Sequence, residues 1–320
     1  MKPSVIVPVQ LGCCTTGARC LVCPPPPPLP TPERIAALIH HYQASRDVED
    51  SGPVEVRFFG GDPPTDEQIQ ACNGLPFTAR VRPDRLTRAQ ADRLRLAGAT
   101  CIELDVWTFD DAALRAADRR YRSALVKEMA QGLSAQGLNV GIVLCPGLPN
   151  SSYETCIEDA KITVGLADTC RIHPTLVFRD SRLREKHEMA LFEPLALGET
   201  VTVCAEMTDI LEEGGVLVIR IGMQPGPDEL GVAVAGPKHS SLRQLVESRR
   251  TLKILDTLFS KSVAPGGKAV ITCHPRDETR TRGPFNQHIR TLRSKYKLRE
   301  VFVRVTSSFE RGQWSVEVES

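Results

Sequence analysis

Four cysteines, Cys13, Cys14, Cys20 and Cys23, fall within eleven residues, just after the apolar run Val5 to Val9. Thiolates this close can gather round one centre at roughly 2.3 Å per bond, which suits an iron–sulfur cluster or a zinc ion. Adjacent Cys13 and Cys14 do not comfortably ligate one tetrahedral ion together, so three ligands and a spare is the easier arrangement. Three ligands would leave one iron of a [4Fe–4S] cluster open to a small chelating molecule. A second candidate is Gly60-Gly61-Asp62, which closes an apolar strand-like run and could stop the strand or let a ligand approach the backbone. Glu103 and Asp105 lie two apart and share one face of a strand, where they could address ligand hydroxyls or close ordinary ion pairs. His173, in another apolar run, is either a hydrogen-bonded interior histidine or a catalyst.

The elements that would position these groups are short β-branched runs alternating with amphipathic stretches, the pattern of parallel strands with helical crossovers. Strands are predicted at Val5–Val9, Val54–Phe59, Thr78–Val81, Cys101–Val106, Asn139–Leu144, Cys170–Val177 and Val216–Ile221. Thr31 followed by Pro32 opens a helix with Ile35, Leu38, Ile39 and Tyr42 on one face. Ser151 with Glu154 reads as a capping box, and Val201, Cys204, Met207 and Leu211 keep a helical period that ends at Gly214-Gly215. Seven strands in succession predict an α/β fold, a partial (β/α) barrel over residues 1–230. The cysteine loop then follows the first strand, where barrel sites form. Residues 231–320 read as a small C-terminal α+β extension: a helix from Ser241, a strand at Ala269–Cys273, a helix near Phe285–Tyr296, and strands at Val301–Val305 and Trp314–Val318.

Composition narrows the classes. The chain has 320 residues, 41% hydrophobic and 25% charged, with a net charge of +1, so whole-length disorder and a generally basic nucleic-acid coat are excluded. No apolar stretch approaches the length of a membrane span or a secretory leader, which makes a cytoplasmic location without membrane contact the expectation. Of the eleven cysteines, Cys72, Cys101, Cys156, Cys170 and Cys204 read as small buried hydrophobes, while Cys145 ends a strand at the barrel mouth and Cys273 adjoins His274. Between Arg276 and Arg299 eight basic side chains face two acidic ones. Arg280, Arg282, Arg290 and Arg293 are candidate phosphate contacts, with Phe285, His288 and Tyr296 able to stack on bases. A solvated charged face is the alternative.

Taken as a set, further segments carry a resemblance. Val54 to Asp62 resembles the second strand and glycine motif of radical S-adenosylmethionine enzymes. Arg82-Pro83-Asp84, Glu103 to Val106, Pro146 to Pro149, Arg171 to Val177 and Ala235-Gly236-Pro237 recur in the same order as in the radical half of the Elongator catalytic subunit and its prokaryotic relatives. The likeness runs from about Val5 to Arg250. It implies a radical S-adenosylmethionine partial barrel in which Cys20, Cys23 and either Cys14 or Cys13 hold a [4Fe–4S] cluster. Gly60, Gly61 and Asp62 would border the methionine end of S-adenosylmethionine, with Glu103 and Asp105 on the nucleoside side. The implied reaction generates a 5'-deoxyadenosyl radical with electrons from a flavodoxin- or ferredoxin-like donor, and the implied substrate is a wobble uridine in tRNA.

The departures are specific. Thr16 stands where that family has its first cysteine, so the loop here is longer; Val22 replaces an aromatic residue against the adenine; and Trp107 replaces a polar residue after the fourth strand. The roughly 70 residues after Arg250 are too few for the family's acetyltransferase domain. A radical enzyme acting on a small metabolite or peptide, and a noncatalytic iron–sulfur or zinc protein, are the alternative readings.

Overall fold

The computed structural model describes residues 4–12, 20–23, 28–45, 52–222, 232–262 and 266–319. The chain divides into two compact units, Met1–Ser240 and Ser241–Ser320.

The first unit is built on a seven-stranded sheet of β1 (Val5–Gly12), β2 (Val54–Gly60), β3 (Phe77–Val81), β4 (Ala99–Trp107), β5 (Asn139–Leu144), β6 (Thr169–Ile172) and β8 (Leu217–Ile221). The strands lie side by side in chain order, every pair parallel, and curl into a half-barrel. Helices α1 (Pro32–Ser45), α2 (Asp66–Gln70), α3 (Arg88–Leu96), α4 (Asp111–Ala116), α5 (Ser123–Ala135), α6 (Tyr153–Thr163), α7 (Arg182–Glu188) and α8 (Leu197–Glu213) supply the connections. A small antiparallel pair, β7 (Val177–Phe178) and β9 (Ala233–Ala235), stands apart from the main sheet. Alternation along each strand sorts the side chains. Val54, Val56 and Phe58 of β2, Ala79 and Val81 of β3, and Ile102, Leu104 and Val106 of β4 are fully buried on the helix-covered side. The intervening positions, Glu55, Arg57 and Phe59, then Arg80, then Glu103 and Asp105, turn to the concave face. Within the described residues no helix is long and apolar enough to cross a membrane.

Two expected boundaries move. The sixth strand was expected to run to Val177, but β6 stops at Ile172 because Pro174 has no N–H to continue the ladder. His173 N still donates to Leu144 O at 2.8 Å and Thr175 N to Pro146 O at 3.0 Å, after which Val177 pairs with β9. The cap of α6 is Ser152, not Ser151: its hydroxyl accepts from Thr155 N, and the Thr155 side chain accepts from Ser152 N.

The second unit is a three-stranded sheet of β10 (Lys268–Cys273), parallel to β11 (Glu300–Val305) and antiparallel to β12 (Trp314–Glu319). With it go helices α9 (Leu242–Ser262), α10 (Glu278–Arg282) and α11 (Gln287–Lys295). Leu255, Phe259, Ala269, Ile271, Cys273, Leu292 and Trp314 form its core.

Candidate active site

The C-terminal strand ends gather the candidate residues. Cys13 and Cys14 lie outside the described residues. Cys20 is buried and Cys23 half-buried on a turn tied down from both sides: Leu21 N donates to Ala117 O at 3.1 Å, and Leu21 O accepts from Leu183 N at 2.9 Å. Cys20, Leu21 and Val22 form one apolar cluster with Trp107, Leu148, Val177 and Leu183, and Cys23 and Cys145 pack against it. Cys145 therefore faces the mouth beside the cysteine turn, and burial, with the charge of Asp105 adding to it, pushes its thiol well up. Two thiols flanking an anchored turn are donors of the kind an iron–sulfur centre takes. Among the described residues no group of three His, Cys, Asp or Glu side chains could hold a metal ion.

Gly60 ends β2, and Gly61 follows with its carbonyl accepting from Arg82 N at 2.8 Å. Asp62 lies 3.9 Å from Arg85. The structure thus brings the glycine pair and the cysteine turn to the same end of the half-barrel, after β2 and β1.

Glu103 and Asp105 are both buried and both engaged. Glu103 takes Arg171 of β6 in a bidentate pair at 2.8–2.9 Å and Arg80 of β3 at 3.4 Å. Burial alone would push its carboxyl up, but Arg80 and then Arg171 outweigh it and hold it below the ordinary range. Asp105 pairs with Arg119 at 2.8 Å and accepts from Trp107 Nε1 at 3.2 Å. The Arg119 guanidinium lies 3.6 Å from the centroid of the Trp107 ring, so one indole face is covered. Trp107 has φ 79°, a left-handed value that a bulky residue adopts only when its surroundings hold it there. The pairing with Asp105 and the Tyr121 hydroxyl, which donates to Val106 O at 2.9 Å, are those surroundings.

Sequence reasoning missed Arg80, Arg119, Arg171 and Arg220. For Arg80, Arg171 and Arg220 the signal was present as a charged residue inside a short apolar strand, which on a half-buried sheet face must be paired or functional; Arg119, in the loop after α4, carried no such signal. His173 follows β6, its Nε2 covered and without a hydrogen-bond partner among the described residues. Burial first, then the charges of Arg80, Arg171 and Arg220, hold its ring well below the ordinary histidine range and therefore neutral.

In the second unit the four candidate arginines divide. Arg280 is bound to Thr251 at 2.7 Å and Glu247 at 3.4 Å, and lies 5.3 Å from the Trp314 ring centroid. Arg282 pairs with Glu278 at 2.9 Å. Arg290 and Arg293 are exposed. Of the possible stacking groups, Phe285 is 91% exposed, whereas His288 is buried against Ser248 and Thr281, and Tyr296 packs on Phe259 with its hydroxyl on Asp256.

A parallel half-barrel with a cysteine turn and a glycine pair at its C-terminal mouth is the architecture of radical S-adenosylmethionine proteins. Residues 167–252 match the Radical_SAM C-terminal domain model. The chain is 25% identical over 182 residues to a tRNA uridine(34) acetyltransferase of Dehalococcoides mccartyi, covering 56% of this chain and 39% of that one. It is 27% identical over 170 residues to the protein of the same name from Methanocaldococcus infernus, covering 52% and 31%. In fold it is similar to the structure of archaeal Methanocaldococcus infernus Elp3 with an N-terminal deletion, at TM-score 0.63 and 20% identity, covering 79% of this chain and 63% of that one. In sequence and fold the chain is therefore similar to radical S-adenosylmethionine proteins of the Elongator-like type. It spans between 31% and 39% of the length of these two curated relatives.

Proposed function

We propose that the chain is a radical S-adenosylmethionine enzyme, with Cys20, Cys23 and one of Cys13 and Cys14 as ligands of a [4Fe–4S] cluster. The observation that carries this reading is the Cys20–Cys23 turn, fixed against Trp107 and Cys145 at the mouth of a parallel half-barrel. When bound, a reduced cluster of this kind supplies the electron that splits S-adenosylmethionine into methionine and a 5'-deoxyadenosyl radical. The chain's own residues bind, orient and exclude water. Gly60 and Gly61 offer backbone to the methionine end and Asp62 a carboxylate beside it. Val22 and Trp107, packed together in the apolar cluster beside the cysteine turn, would give the apolar wall for a nucleoside. Glu103 and Asp105 act through the arginines they hold.

The relatives' name, tRNA uridine(34) acetyltransferase, supports a wobble uridine in tRNA as the substrate. A radical enzyme acting on a small metabolite is the second reading. It is favoured by the second unit, where Glu247, Glu278 and Asp256 neutralise Arg280, Arg282 and Lys295, leaving less of the basic segment for RNA. A cytoplasmic location and a flavodoxin- or ferredoxin-like electron donor belong to the same proposal. Anaerobic reconstitution tests the centre: close to four irons per chain are expected, lost in Cys20→Ala and Cys23→Ala, with only one of Cys13 and Cys14 essential. A protein that takes zinc and excludes iron would overturn it.

A further inference from the structure

The second unit presents one large apolar side chain to solvent on a backbone that does not favour it. Phe285 is 91% exposed and adopts φ 50°, ψ 36°, a left-handed conformation that a bulky residue enters only under constraint. Asn286 follows at φ 58°, where a short amide side chain is tolerated. The constraint comes from the loop beneath. Gly283 N donates to Thr279 O at 3.0 Å, and Asn286 N to Gly283 O at 3.2 Å. The buried His288 ring lies so close that a Cβ on Gly283 would stand 2.5 to 2.7 Å from three of its atoms. That ring is itself held, by Thr281 O at 3.2 Å from Nδ1 and the Ser248 hydroxyl at 2.8 Å from Nε2. Phe285 is therefore an exposed aromatic on a fixed support. Backbone strain of this kind collects where a chain meets a ligand, and a side chain so held loses little freedom on binding.

The charge that follows the ring is of one sign. From Gly283 to Arg299 the sequence holds five lysines and arginines and no carboxylate. Lys295 is paired with Asp256, but Arg290, Arg293, Lys297 and Arg299 are exposed with no ion-pair partner among the described residues. Arg290 and Arg293 stand one turn apart on α11, on the side away from buried His288 and Leu292. Lys297 and Arg299 continue the series from the end of that helix to the start of β11. The exposed sequence neighbours of Phe285, Asn286 and Gln287, are amides, which can hydrogen-bond base edges but do not extend an apolar face for a protein partner.

We infer that Phe285 stacks on an unpaired base of single-stranded RNA while Arg290, Arg293, Lys297 and Arg299 follow its phosphates. An aromatic platform beside a run of cations is what such a strand requires: every base has a flat face to stack, and every link carries a negative charge. Calling that RNA the substrate rests on the radical-enzyme reading; the surface itself does not.

The test is fluorescence anisotropy of the full-length, cluster-loaded protein with a labelled oligouridylate, compared with the same strand paired to oligoadenylate and with labelled polyglutamate of equal charge. The single strand should bind most tightly, because pairing hides the base faces and polyglutamate has none. Phe285→Ala should weaken single-strand binding about tenfold with its salt slope unchanged, since a stacked base is lost and no charge. Phe285→Trp should restore the affinity, and the indole emission gained in that variant should fall when the strand binds. Arg290→Gln with Arg293→Gln should lower the salt slope, which Phe285→Ala does not. Because Phe285 is almost fully exposed, its Ala variant should keep the denaturant midpoint of the unmodified protein, so lost binding is not lost folding. No binding of the single strand, or equal binding by Phe285→Ala, would overturn the inference. Polyglutamate bound as tightly as the single strand would also overturn it and assign the surface to acidic protein segments. Formation of 5'-deoxyadenosine by the unmodified protein reports on the radical reading separately.

Discussion

Glu103 reaches from β4 across Gly141 of β5 to hold Arg171 of β6, spanning three strands with one bidentate ion pair. Gly141 makes this possible: a Cβ there would stand 2.8 Å from Glu103 Cγ and 3.0 Å from Thr169 Oγ1. Gly141→Ala should therefore destabilise the first unit by roughly 2 kcal/mol or more, through overpacking and a loosened buried pair. Gly132→Ala on α5, where a Cβ meets nothing within 4 Å, should be neutral or stabilise by roughly 0.5 to 1 kcal/mol. Denaturant midpoints of the two variants make the comparison, and equal effects would show that the crossing has slack.

Asp159 on α6 is a buried carboxylate with no ion pair among the described residues. It holds the turn after Trp107 by accepting from Phe109 N at 2.7 Å, and burial pushes its pKa up to about 7. The folded state then holds the proton more tightly than the unfolded chain. This contribution is favourable at low pH and is lost as pH rises from about 4 through 7. Asp159→Asn keeps the acceptor and removes the titration. It should flatten that part of the stability profile and raise stability at pH 8 by on the order of 1 kcal/mol. Chemical denaturation at pH 5 and pH 8 measures the difference, and an unchanged pH dependence in the variant would be the contrary result.

The basic segment predicts a division of labour. Arg280→Gln should cost the second unit about 1 to 2 kcal/mol, through its bonds to Thr251 and Glu247 and its place over Trp314. Arg290→Gln with Arg293→Gln should leave stability within about 0.5 kcal/mol. If tRNA is bound here, that pair should lower the salt slope of binding by about 1.4, at roughly 0.7 per phosphate contact. An unchanged slope would remove these two residues from any RNA contact.

The positions of the strands were legible because β-branched runs between helical stretches leave few alternatives, and the order of the seven followed from their connections. Pro174 marks the end of β6, but the apolar run continues through Val177 and hides that the chain has already left the main sheet at Ile172. The sequence also marked Glu103 and Asp105 as special but could not name their partners. Arg171 lies 68 residues from Glu103 and Arg119 14 from Asp105, so only the curled sheet brings the charges together. In the second unit the arginine count was legible, but not which of the four are paired. A helical stretch hides which cations face their own carboxylates, and Arg282 meets Glu278 four residues away.

On the proposed reading Gly61 would border the methionine end of S-adenosylmethionine while the cysteines hold the cluster, so the two can be tested apart. Gly61→Val should leave iron content near that of the unmodified protein and lower S-adenosylmethionine cleavage by tenfold or more, because a side chain would occupy the space where methionine meets backbone. Cleavage at the normal rate in this variant would show that the methionine end lies elsewhere.

The most direct measurement is production of 5'-deoxyadenosine by the anaerobically reconstituted, dithionite-reduced protein supplied with S-adenosylmethionine. The radical-enzyme reading predicts slow formation of 5'-deoxyadenosine and methionine in equal amounts, abolished in Cys20→Ala and in Cys23→Ala. A fully iron-loaded protein that forms none with its reductant exhausted, or the same yield from the cysteine variants, would contradict it.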